Sequence, residues 1–356
     1  AYFSYNRGMP LTIRSGLEPI FGKFMSGGLG NMTDIVSILA TLVGLGVTIG
    51  YGVSQFSSGL FNITGIEWLI DNEGRPSLTG QVFGLVLIMT ISCVSAFTGI
   101  RKGIKWLSNI NMGLSLLLLL FFVFFGATLF ALKNFLVTIW DYVISFPEMA
   151  ISVWKNDGTE VSLNLQKWQS AWSIFYWAWW IAFAPFVGLF LARVSRGRTI
   201  REYIMGAIFI PSLISLFWFS FVGGTAIDLE LSGVAQGAIV NADISAQLFQ
   251  TINLFMNPTM AVLLSVLVVI LLITFLVTSA DSGILVMNTL ASGGNTKKRE
   301  LKHIILWGLL FSVMIAVLLM AGGMDSLRSV MIIGALPFSL ILALMPVALV
   351  KTILQK

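Results

Sequence analysis

Large aromatic side chains crowd ahead of one proline: Trp168, Trp172, Tyr176, Trp177, Trp179, Trp180 and Phe183 are among those that precede Ala184-Pro185-Phe186-Val187-Gly188. Trp180 lies twelve residues past Trp168, roughly 18 Å along a helix, near the middle of a ~30 Å hydrocarbon core. Trp168 and Trp172 fit an interfacial aromatic belt, but the deeper indoles need N–H partners that lipid does not supply. A quaternary ammonium ion has no N–H donor, so hydrogen bonds cannot hold it. Indole faces can, at about 0.5–2 kcal/mol per contact. Pro185 also lacks an N–H and leaves the Ile181 carbonyl without its usual partner, and interrupted membrane helices use such freed carbonyls to bind ions. A helix break at Pro185 beside a cage for a cation is the expectation.

A second polar group interrupts an apolar run at Thr278-Ser279-Ala280-Asp281-Ser282-Gly283. The hydroxyls alone would mean little, because they often bond back to the preceding turn. A carboxylate at depth is costly and faces a pathway or a partner, so Asp281 is a candidate for function. The alternative is a carboxylate paired to a basic loop residue. In the run from Asp34 to Gly52, small residues at Gly44, Gly46, Thr48, Gly50 and Gly52 allow close helix approach. Asp34 is expected to cap that helix.

These residues sit in a chain of 356 positions, 57% hydrophobic and 10% charged, against about 25% charged in an ordinary soluble domain. Such a composition excludes a soluble enzyme and a disordered chain. The single Cys93 permits no intrachain disulfide, and the single His303 has no neighbour with which to bind a metal. Eight apolar stretches, about 34–56, 79–99, 110–132, 169–192, 203–224, 259–288, 303–322 and 328–350, are long enough to span a bilayer. The segment Asn134 to Glu148 is too short and reads as an interfacial amphipathic helix. With the start and end of the chain on the cytoplasmic side, 16 of the 21 basic residues fall on that side, as the positive-inside tendency requires. The basic pI needs no nucleic acid. An all-α polytopic membrane protein follows, set in the cell (inner) membrane with lipid around it.

The stretch Trp172-Ser-Ile-Phe-Tyr176-Trp177-Ala-Trp179-Trp180-Ile-Ala-Phe183-Ala-Pro185-Phe186-Val-Gly188, with Ala192-Arg193-Val-Ser-Arg196-Gly197-Arg198-Thr-Ile-Arg201-Glu202 behind it, strongly resembles the signature of the betaine/choline/carnitine transporter family. Ala1-Tyr2-Phe3 to Leu11, Lys105 to Met112 and Thr278 to Ser282 resemble family segments in the same order. The family has twelve spans around two inverted five-helix repeats of the leucine-transporter kind, and this chain resembles the last eight. The resemblance therefore implies three parts of one transmembrane domain: 1–132 as the remainder of the first repeat, 133–168 as interfacial helix and outer loop, and 169–350 as the second repeat.

Carried over residue by residue, the resemblance implies substrate binding by Trp179 and Trp180, with Trp180 the main cage member and Tyr176 and Trp177 beside them. Phe183 stands where the family has another Trp. Thr278 and Ser279 match the hydroxyls of one sodium site, with Na+ as coupling ion and no other cofactor. Thr41 and the Phe186 carbonyl match parts of a second site, where Leu45 replaces an expected Thr. Pro185, Gly188, Asp281 and Arg193 are the expected gating positions, and a homotrimer is the expected assembly. The reading is a sodium-coupled secondary transporter of a quaternary-ammonium solute, glycine betaine first. Its alternatives are a proton-coupled choline transporter and a carnitine/betaine-type exchanger. An intramembrane enzyme would need positioned acid, base or metal ligands, and a channel would need a ring of charges or a filter-like repeat; neither pattern is in the sequence.

Overall fold

Apolar runs of twenty residues leave backbone amides no water to bond with, so each run satisfies itself as a helix. The computed structural model describes residues 1–98, 101–295 and 301–355, and the side chains of 97–106 are not described. Arg101, Lys102, Lys105, Lys297, Lys298, Arg299 and Lys356, all counted toward the inner side, therefore lie outside the described side chains. The long helices are α1 (Gly28–Thr64), α2 (Leu78–Thr98), α3 (Arg101–Phe125), α4 (Thr128–Ile151), α5 (Glu160–Val194) and α6 (Ile200–Leu231). A short α7 (Gln247–Phe255) leads into α8 (Pro258–Ala291). The stretch Leu301–Leu354 is broken at Gly322 (φ 177°, ψ 26°) and Gly323 (φ 63°, ψ −145°), which divides it into α9 (301–321) and α10 (324–354).

Each of the eight expected spans finds a helix. Among the described residues, eight stretches are long and apolar enough to cross a membrane when Leu301–Leu354 is taken as one. The protein is all-α and polytopic. The eighth stretch is α4, and here the expectation is corrected. The helix placed at 134–148 runs over Thr128–Ile151, 24 residues with Pro147 inside, and the third span stops at Phe125 instead of 132. The break falls at Gly126 because Thr225 Oγ1 accepts the Ala127 N–H at 3.2 Å, which satisfies an amide that the turn would otherwise strand.

The core lies where α1 packs against α5, α8, α9 and α10. Leu45, Val47, Ile49, Ala182, Phe186, Ile284, Met287, Phe311, Ile315 and Met331 are all buried there. A second cluster, with Phe122, Phe249, Ile252 and Leu264, joins α3, α7 and α8. The small residues of α1 act as packing surfaces. A Cβ on Gly44 would sit 3.0 Å from the Ala182 carbonyl carbon and 3.1 Å from Phe183 N, so α1 and α5 touch backbone to backbone.

Two further expectations change. Asp34 does not cap α1, which begins six residues earlier behind Gly27. It is buried and paired with Arg14, Nε to Oδ2 2.5 Å. Pro185 does not break its helix: residues Phe175–Val194 are continuously helical with Pro185 buried inside. A proline forfeits one bond and crowds one carbonyl, and the close α1 contact lies at Ala182 and Phe183, just before it. The irregularity in α5 is a π-helical turn at Ser170–Ile174, on the N-terminal side of the aromatic cluster.

Candidate functional site

A helix turns about 100° per residue, so neighbours in sequence face different ways. Trp172, Phe175, Tyr176 and Trp179 are spaced i, i+3, i+4, i+7 and share one face of α5. Trp172 and Tyr176 stack at 6.1 Å, and Tyr176 and Trp179 lie 5.9 Å apart. Tyr51 of α1 completes the group, stacked on Trp179 at 5.7 Å and edge-on to Phe175 at 6.2 Å. The half-buried Trp179 donates its indole N–H to Thr48 Oγ1 at 3.2 Å, which supplies the partner that a bilayer does not.

These rings line a cavity of about 350 Å³ with Ile244 and Arg328. Tyr51, Ile244 and Arg328 also line a second cavity of about 560 Å³, which is walled by Asp71, Arg75, Gln81, Asp243, Ser245 and Asp325. An aromatic recess thus opens onto a polar vestibule that carries three aspartates. Asp71, outside the spanning helices, is held below the ordinary carboxylate range by backbone N–H groups of Arg75 and Glu73 and by the Arg75 guanidinium. Asp243 accepts from Ser245 N and Oγ, and Asp325 is 90% exposed.

Other expected residues lie elsewhere. Trp180 is 67% exposed and meets Phe183 edge-on at 6.4 Å, while Phe183 in turn meets Phe186 at 5.1 Å. Its open ring face turns away from the Trp179 recess. Trp177, also exposed, lines a separate cavity with Gln169, Ser173, Ile332 and Ala335. The structure therefore separates the five expected substrate residues: Tyr176 and Trp179 on the recess, Trp180 on an open face beside a half-buried Phe183, Trp177 on a third.

The ion candidates follow helix registers. Gly44 lies against Ala182, and a Cβ on Gly283 would strike Leu45, as one on Gly52 would strike Leu276. Both pairs run antiparallel, so Thr41 stands level with Phe186, and Ser279 level with Thr48 and Trp179. Thr41 is fully buried and donates to the Ser37 carbonyl at 2.8 Å. Leu45, also fully buried, fills the space over Gly283. Thr278 bonds back to the Phe275 carbonyl at 3.0 Å, and Ser279 is half-buried. Asp281 is buried and accepts from Ser95 Oγ of α2 at 2.7 Å. Arg193 donates to Thr289 Oγ1 and ties the end of α5 to α8. Gly188 is exposed with open space around it. No group of three metal-ligating His, Cys, Asp or Glu side chains occurs among the described residues.

Sequence reasoning gave no role to Tyr51 or Arg328. The available signals were a tyrosine ending a stripe of small residues and a lone arginine entering an apolar run five residues past Gly323.

Comparison with known proteins places the chain in a family. A sequence model described as "BCCT, betaine/carnitine/choline family transporter" matches residues 1–356. The chain is 38% identical over 353 residues to an uncharacterized transporter of Haemophilus influenzae, covering 99% of this chain and 50% of the relative. It is 35% identical over 353 residues to the glycine betaine transporter OpuD of Bacillus subtilis, covering 99% of this chain and 65% of the relative. It is also 35% identical over 360 residues to the osmo-independent choline transporter BetT1 of Acinetobacter baylyi, covering 100% of this chain and 65% of the relative. The chain thus spans from half to just under two thirds of the length of these relatives. Family members are named as transporters and not as enzymes. With a match over its whole length, the chain belongs to the betaine/carnitine/choline transporter family.

Proposed function

We propose that the protein carries a quaternary-ammonium solute across the membrane by alternating access, glycine betaine first, with sodium as the coupling ion. The observation that carries this reading is the recess of Tyr51, Phe175, Tyr176 and Trp179 opening onto the aspartates of the vestibule. Three aspartates against the Arg75 and Arg328 guanidiniums leave the vestibule net negative, which favours a cation, and π faces then hold an ion that no donor or acceptor can grip. The names of OpuD and BetT1 support the same solute class. Trp180, whose ring is exposed, is the main cage ring in this reading.

Sodium is assigned to Thr278 and Ser279, and the half-buried Ser279 hydroxyl level with Trp179 favours a site coupled to the recess. At the Thr41/Phe186 site a buried Leu45 contributes no oxygen, so the ion there is weakly held. The proposal retains the inverted repeat, with both chain ends cytoplasmic, and the homotrimer. The specific observation favouring the proton-coupled choline reading is buried Asp281, a carboxylate that a proton gradient would act on.

Uptake of labelled glycine betaine and choline into proteoliposomes, with sodium and pH gradients imposed separately, tests the proposal. Saturable, sodium-dependent betaine uptake is expected. Uptake driven by a pH gradient without sodium promotes the alternative. Absence of saturable uptake of either solute overturns both.

A further inference from the structure

We propose that Arg328 is a tethered cation occupying the aromatic recess, which a cationic solute must displace before it can use those rings. The inference rests on reading the recess as a cation site. Arg328 Cζ lies 5.3 Å from the Tyr51 ring centroid and 5.2 Å from that of Phe175, both within the ~6 Å reach of a cation–π contact. Its Nε donates to Tyr51 Oη at 2.5 Å, so the guanidinium is fixed over the rings. Two unit charges at such separations repel. The arginine and a trimethylammonium group therefore exclude each other from these faces.

The displaced side chain has a second partner at hand. Asp325 Oδ1 lies 3.6 Å from Arg328 Nη1, and its carboxylate is 90% exposed at the vestibule wall. Both residues lie in the first turns after the Gly322–Gly323 break, where Gly323 takes a φ of 63° that side chains rarely adopt. The guanidinium already holds both partners, so releasing Tyr51 and closing on Asp325 would free the rings and keep it paired. Guanidinium can bond the Tyr51 hydroxyl and stack on the rings; a quaternary ammonium can only stack. The resident cation therefore raises the threshold that a weak ligand must exceed.

Tetramethylammonium is the probe, because it offers the cation without a carboxylate. Its binding to the full-length protein in detergent is followed by tryptophan fluorescence and calorimetry. Arg328→Gln should bind it about fivefold more tightly, the worth of one lost competitor at a partly exposed ring. Arg328→Lys, which keeps a tethered cation, should stay near the parent. Tyr51→Phe keeps the ring but removes the anchor, and should also tighten binding; it serves as the second variant if Arg328→Gln fails to fold. Unchanged or weaker binding in Arg328→Gln and Tyr51→Phe, with the parent still binding, overturns the gate and leaves the cation site standing. Binding weakened for glycine betaine alone would show Arg328 gripping the carboxylate, and also overturns the gate. No binding of tetramethylammonium to any of the proteins overturns the cation site and the gate with it.

Discussion

Trp179 and Thr48 are joined by a single hydrogen bond, indole N–H to Oγ1 at 3.2 Å, and Thr48 Oγ1 in turn donates to the Gly44 carbonyl at 3.2 Å. The recess is thereby tied to the point where α1 and α5 touch. Thr48→Val keeps the shape and removes the acceptor. The stranded indole N–H should cost about 1–3 kcal/mol, read as a lower melting temperature. Solute affinity should fall severalfold as the Trp179 ring loses its fixed orientation.

Gly44 itself has no room for a side chain, with backbone of Ala182 and Phe183 at 3.0–3.1 Å from a modest Cβ. Gly44→Val should force the two helices apart and cost about 1–3 kcal/mol of overpacking. Gly188→Ala meets open space and should leave thermal stability unchanged. Equal melting shifts for the two variants would contradict the contact.

The two neighbouring tryptophans can be separated by kinetics. Trp180→Leu keeps bulk and removes the π face, and affinity for a trimethylammonium solute should fall about tenfold or more. Trp179→Leu should also weaken binding and, by releasing Thr48, lower the melting temperature as well. Trp180 is 67% exposed, so its loss should leave stability near the parent's. An unaltered KM in a folded Trp180→Leu protein would remove it from the cage.

Coupling rests on oxygens. On the proposed single sodium at Thr278 and Ser279, uptake should rise with sodium at a Hill coefficient near one, and Ser279→Ala should raise the sodium requirement sharply. Leu45→Thr supplies the missing hydroxyl at the second site and should steepen the dependence. It also vacates volume over Gly283, at a stability cost of about 1–3 kcal/mol. A sodium dependence indifferent to Ser279→Ala would displace the ion from this site.

Asp157 offers a pH test outside the spanning helices. Its carboxylate is held at a pKa of about 2 by hydrogen bonds from Ser162 and Thr159, and Thr159 caps the helix that begins at Glu160. A folded pKa below the unfolded value near 3.9 means that the stabilisation is fully present above about pH 4. It is lost as pH falls through about 2. A carboxyl NMR titration should show that midpoint, and Thr159→Val should move it up toward the ordinary range.

Hydrophobic run length and aromatic chemistry were legible because each is a local property. A run of twenty apolar residues must become a helix in lipid wherever it lies, so 259–288 and 328–350 were found within a few residues. The tryptophan cluster, with the arginine-rich stretch behind it, carried the family resemblance, and the family match bears that out. Local propensity misled where a distant partner decides the backbone. Thr225 ends α3 at Phe125 by accepting the Ala127 N–H, and α5 runs on through a buried Pro185.

Which tryptophan faces which neighbour is a question of helix rotation, and rotation is set by packing between helices far apart in sequence. Residues 179 and 180 carry the same side chain, yet the Gly44–Ala182 contact turns one toward Tyr51 and leaves the other open. Arg328 lies 277 positions from Tyr51, and no spacing rule joins them. The sequence by itself determined the helices and the family, because these follow from residue type and short-range order. Only the tertiary structure decided that Tyr51 and Arg328 share the recess, because close packing of α1 with α5 and α10 is what brings their side chains within bonding distance.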